Sequence, residues 1–422
     1  MSTNYLSIFP LLLSYGLLIT ANAMFSSLLA LRSEVESFDL GIVGWMTALH
    51  SAGILLGARR APDIVTRVGM IRAFAALASL VSIIALLHLL WINPLFWILL
   101  RFFNGMIMAG LFTVTESWLN ARATGATRGR VLALYMITNY AAAGAGQLIL
   151  PASSPDTFVL FCIASILFSL ALIPLLMSRT PAPEPENTER MPLRKLIRVS
   201  RLGFSGAFCA GMIAAPVWGL GALYAQGIGL SLGQTSLFMA IVFSSGMVLQ
   251  IPVGILSDRI GRRKVIGVMA GLSAIIAFAL GVLPSSFPPW STLAFAFFWG
   301  STTLTLYALA VAHTNDQSPQ GKTVEVATAI LFVYGLGAII GPLVASAMME
   351  SIGPRGLFLF QFLVAFGLCG IAFFRLYRNQ EEDERKDFMP IATVGMTSES
   401  ILAKLHKRRT SKNTLKADSA EH

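Results

Sequence analysis

Gly254-Ile255-Leu256-Ser257-Asp258-Arg259-Ile260-Gly261-Arg262-Arg263-Lys264 is a short basic turn between two apolar runs of membrane-spanning length. A second such turn, Arg67-Val68-Gly69-Met70-Ile71-Arg72, lies 192 residues earlier in this 422-residue chain. One Arg-x-Gly-basic turn in each half points to a duplicated membrane protein.

The composition agrees. Charged residues make up 12% of the chain and apolar residues 55%, whereas soluble domains carry about 25% charged residues. The net charge of +10 does not point to nucleic acid, because the basic residues sit between apolar spans rather than along one helix face. Cys162, Cys209 and Cys369 all fall inside apolar runs without metal-ligand spacing, so they read as small core residues and no metal site is expected. Leu6 to Ala23 mimics a secretory signal, but Met1 to Tyr5 has no Lys or Arg and the apolar run continues. Cleavage there is not expected.

About 20 apolar residues cross a bilayer as a helix. Twelve runs qualify: 6–31, 40–60, 71–92, 94–118, 131–152, 157–178, 202–226, 231–256, 265–283, 289–313, 325–349 and 356–376. They divide into an N-terminal six-helix bundle (1–178), a central loop (179–201), a C-terminal six-helix bundle (202–378) and a tail (379–422). The expected fold is therefore an all-α membrane protein of twelve transmembrane helices in two pseudo-symmetric six-helix bundles.

An even number of spans puts both termini on one side. Segments on that side hold 28 of the 31 Lys and Arg, so the positive-inside rule makes it the cytoplasm. The central loop opens on the extended Thr180-Pro-Ala-Pro-Glu-Pro and closes on Pro192 to Val199, which could lie on anionic lipid as a basic amphipathic helix. In the tail, Ser398 to Arg409 reads either as a surface helix or as disordered chain.

Twelve spans in two halves with a Gly-x-x-x-Asp-Arg-x-Gly-Arg-Arg turn resemble the major facilitator superfamily, over about residues 6 to 378. The second-half motif is complete, with Gly254, Asp258, Arg259, Gly261, Arg262 and Arg263. The first-half copy keeps Arg67, Gly69 and Arg72 but has Pro62 and Thr66 in place of its Gly and Asp, with Asp63 as a substitute. Arg101-x-x-Asn104-Gly105 resembles the superfamily's Arg-x-x-Gln-Gly pattern in the fourth span. Thr115-Glu116-Ser117-Trp118-Leu119-Asn120 looks like the bacterial YcaD-like branch, which implies an exporter in a bacterial inner membrane.

That resemblance implies a cavity walled by spans one, four, seven and ten, flanked by two, five, eight and eleven. The polar and aromatic candidates there are Asn22, His50, Arg101, Asn139, Tyr140, Gln147, Trp218, Gln250, Tyr307 and Tyr334. Each alone also reads as helix–helix glue. Arg101 reads equally as a solute or counter-ion site and as a structural group bonded to carbonyls. Glu116 and Arg122, near the cytoplasmic end of the fourth span, read as a gate pair or helix-end brace. The motif arginines read as bridges to helix ends of the other half. Asp316-x5-Lys322 echoes Glu116-x5-Arg122 in spacing. Protons are a candidate coupling ion, with His50 the deepest titratable group.

Enzyme constellations and a complete phosphate loop are missing, and no cofactor is expected. The reading is a secondary transporter, expected as a monomer in the bilayer, of a small neutral or anionic organic solute. A lipid flippase and a non-transporting sensor on the same fold remain as rivals.

Overall fold

The computed structural model describes residues 8–122, 128–177, 196, 199–283, 287–318 and 323–378. The central loop's amphipathic stretch lies almost wholly outside them, and the tail helix, Lys322 and the Arg122 side chain lie fully outside. The helices are α1 (Phe9–Val35), α2 (Leu40–Val68), α3 (Met70–Leu90), α4 (Pro94–Arg122), α5 (Arg128–Gln147) and α6 (Val159–Leu176, interrupted at Ala171). The second half repeats them as α7 (Arg201–Gly227), α8 (Leu232–Ile260), α9 (Arg262–Val282), α10 (Pro289–Gln317), α11 (Thr323–Ile352) and α12 (Gly356–Arg378).

Among the described residues, eleven of these are long and apolar enough to cross a membrane. The twelfth, α5, has 20 residues and is diluted by Arg128, Arg130, Asn139 and Gln147. Several helices overrun their expected ends. Thus α2 runs to Val68, α4 to Arg122 and α10 to Gln317, since hydropathy marks only the part of a helix that meets hydrocarbon.

The duplication is visible in the helix lengths. α1 and α7 both have 27 residues, α2 and α8 have 29, α3 and α9 have 21, and α4 and α10 have 29. Each half turns from its second to its third helix on a single glycine, Gly69 at φ 90° and Gly261 at φ 100°. Only glycine takes such angles cheaply. Gly254, expected at this turn, lies inside α8 instead, where its carbonyl accepts from Ser257 Oγ at 2.7 Å.

Helix packing repeats as well. A Cβ at Gly105 would overlap the His50 carbonyl, and a Cβ at Gly300 would overlap the Val242 carbonyl, 192 residues after His50. Small residues let transmembrane backbones approach closely. Gly105→Ala is therefore expected to cost about 1–3 kcal/mol by overpacking, seen as a lower thermal midpoint. Gly367→Ala, with open space around it, is the control and should be neutral or stabilising by up to about 1 kcal/mol.

The halves meet through α2 against α11, α5 against α8, and α1 against α7. At the ends away from the basic turns, the Gly41 amide donates to Glu350 Oε1 and Ser236 Oγ donates to the Gln147 carbonyl at 2.7 Å.

Candidate functional site

α1, α2, α4, α7 and α11 surround a cavity of about 90 Å³. One water needs roughly 10–15 Å³ by that measure, so there is room for a small solute. Helical spacing aligns its polar wall. Asn22 and Ser26 stand one turn apart on α1, and Thr47 and Ser51 one turn apart on α2 beside His50. Arg101 of α4 completes the wall. Gly105, one turn further along α4, brings the α2 backbone in and seats His50 next to Arg101.

Arg101 is 4% exposed. Its Nη1 donates to Asn104 Oδ1 at 3.2 Å and its Nη2 to Ser26 Oγ at 3.4 Å. Among the described residues it has no carboxylate partner, and no carboxylate lines the cavity. Asn22 Oδ1 and His50 Nδ1 are also buried without partners. Buried polar groups of this kind are normally bonded, so three groups at one wall have spare capacity.

The facing wall is different in kind. Trp218 of α7 stacks on Phe243 with ring centroids 3.9 Å apart, and Tyr334 of α11 packs on Tyr307 at 4.8 Å. Ala215, Leu331, Gly335 and Ala338 fill the rest.

Five of the ten expected cavity residues thus come together: Asn22, His50, Arg101, Trp218 and Tyr334. The other five do not line it. Asn139 accepts from Tyr15 Oη at 2.6 Å, and Gln147 Nε2 donates to the Ala23 carbonyl at 2.8 Å. Both tie α5 to α1. Tyr140 packs on Gly246, Tyr307 stands behind Tyr334, and Gln250 is buried elsewhere in α8. Ser26, Thr47 and Ser51 were missed, although their spacing from Asn22 and His50 was a usable signal.

The turn residues separate by half. Arg262, buried in the second half, pairs with Asp258 at 2.8 Å and with Asp316 of α10, and donates to Ser257 Oγ at 3.1 Å. Gln317 accepts from Arg263 Nη2 at 2.9 Å with its amide oriented to donate to Ser200 Oγ. These bonds join the second half's own elements and Ser200 of the central loop, and the expected bridge to the other half is not among them. Arg259 is exposed. In the first half, Asp63, Arg67 and Arg72 are exposed and form no ion pair among the described residues. Asp63 therefore does not replace the missing Asp.

Glu116 is 1% exposed and accepts from Tyr135 Oη at 2.8 Å, with the Tyr15 ring 4.5 Å from that of Tyr135. α4 runs on past it to Arg122, which places it inside the bundle rather than at the surface. No group of His, Cys, Asp and Glu suited to a metal occurs among the described residues.

The cavity between two repeated bundles is the arrangement of a solute carrier. The Major Facilitator Superfamily matches residues 11–247 and 203–410, and the chain belongs to that family. Among its relatives, the uncharacterized MFS-type transporter YcaD of Escherichia fergusonii is 29% identical over 84% of this chain and 92% of its own. An uncharacterized MFS-type transporter of Enterobacter sp. (strain 638) is 29% identical over 87% and 95%. In three dimensions the chain resembles the nucleoside transporter NupG, with a TM-score of 0.72 at 12% identity over 87% of this chain and 100% of that one. It also resembles a bacterial homolog of the human lysosomal transporter Spinster, inward-facing and occupied, with a TM-score of 0.73 at 14% identity over 89% and 97%. The chain is a multi-pass membrane protein with a transporter fold.

Proposed function

We propose that this chain is a secondary transporter that exports a small neutral or anionic organic solute by alternating access. The two bundles rock about the cavity between them, with both termini in the cytoplasm of a bacterial inner membrane. The observation that carries the solute class is Arg101, a buried guanidinium facing the cavity with neutral partners only. An isolated buried charge is costly, and an anion or a strong neutral acceptor offsets that cost. The fold supports transport by family, and the direction rests on the YcaD-like sequence features.

The test is solute counterflow in proteoliposomes, with organic anions, neutral metabolites and lipophilic cations as competitors. Anion or neutral exchange is expected. Saturable cation exchange that no anion competes with would sink this reading. Everted vesicles, with and without an imposed pH gradient, then test export and proton coupling; uptake into them is the expected sign of export.

A further inference from the structure

The cavity wall is divided between the bundles. The first half supplies every charged, amide, imidazole and aliphatic hydroxyl side chain on it, from Asn22 to Arg101. The second half supplies Trp218 and Tyr334 among small and aliphatic residues, and no such polar group. The first half also contributes apolar contacts, including Phe112, so the division is in polarity and not in apolar area.

We propose that the solute is a one-ring aromatic carboxylate, its carboxylate held by Arg101 and Ser26 and its ring held by Trp218 and Tyr334. This rests on the reading above of a neutral or anionic solute and narrows it to an anion. A guanidinium presents a planar fork of donors that matches a carboxylate with two parallel bonds. At present that fork reaches only the long contacts to Asn104 and Ser26. The unpartnered His50 Nδ1 is a second polar site on the same wall. Opposite, Trp218 is backed by Phe243 and Tyr334 by Tyr307, so both rings are held as they meet a ligand. Planar aromatic bodies gain offset or edge contacts with such rings.

The division also bears on the transport cycle. A solute that touches one bundle gives the other no reason to close. An amphipathic solute bonds to both bundles, so its binding energy favours the state in which both walls meet it.

The test uses the full chain in detergent or nanodiscs and four probes: 3-phenylpropionate, its amide, propionate, and phenylpropyl-trimethylammonium. Binding is read by calorimetry and ligand-induced thermal shift. The expected result is 3-phenylpropionate at least tenfold tighter than the amide and than propionate. Arg101→Gln should bring the acid down to the level of the amide. Trp218→Ala should bring it down to the level of propionate, while Trp218→Phe retains most of the affinity. The wild-type series needs no variant, so misfolding of any mutant leaves it decisive. If propionate binds as tightly as the aromatic acid and still depends on Arg101, the aromatic half of the proposal fails and anion transport stands. If the ammonium probe binds best, or acid binding ignores Arg101→Gln, both fail. No binding by any probe also overturns the aromatic carboxylate.

Discussion

Asp316→Asn is expected to destabilise the protein by about 3–5 kcal/mol, the usual cost of removing one partner of a buried ion pair. The Arg262 and Asp316 side chains are 2% and 3% exposed. Asp258, the other carboxylate on Arg262, is 28% exposed, so solvent shares its work and Asp258→Asn should cost much less. The pair joins the α8–α9 turn to the end of α10, so the loss should show as a large drop in thermal midpoint. A drop no larger than that of Asp258→Asn would contradict this account.

The double variant Arg262→Met with Asp316→Ala should recover most of that loss. Replacing a buried ion pair by apolar residues is often neutral or stabilising. The first-half sequence has apolar residues at the matching positions. Met70, 3% exposed, occupies the position 192 residues before Arg262, and Ala121 lies 195 residues before Asp316. Thr66 likewise stands for Asp258. Three positions, not one, therefore separate the two turns.

The fold was legible because its signals are local. Apolar run length, the basic turns and the glycines at 69 and 261 each act over a few residues. The cavity was half legible. Arg101 and His50 stood out because charge and imidazole are costly in an apolar helix. Asn139 and Gln147 looked equivalent to Asn22, since an amide on a helix does not declare which neighbour it faces. Only packing shows that they bond to Tyr15 and to the Ala23 carbonyl. Asp316 was visible as a spacing echo of Glu116, but the spacing did not name the partners that packing supplies, Arg262 for Asp316 and Tyr135 for Glu116. Those contacts join different helices, where no local pattern reaches.

Arg101→Gln is expected to reduce transport of an anionic solute at least 100-fold while leaving the unliganded protein as stable as before, or more so. Removing a charge from the helix centre relieves roughly 2.5–3.5 kcal/mol on insertion scales, and less at Arg101, which lies near the start of α4. Against this stands the Asn104 acceptor, whose lost donor costs about 1–3 kcal/mol. The Ser26 contact at 3.4 Å is too long to add much. The balance lies near zero or on the stabilising side. Arg262 predicts the opposite pattern, because its charge is paired at both carboxylates and its removal breaks a buried ion pair with Asp316. Thermal unfolding without ligand and proteoliposome transport, measured on both variants, separate the two kinds of arginine. A structural Arg101 would lose stability on substitution and keep its solute selectivity. A solute-binding Arg101 keeps stability and loses the anion, and the ligand-induced stabilisation, about 2.7 kcal/mol at 100 times the dissociation constant, disappears with it.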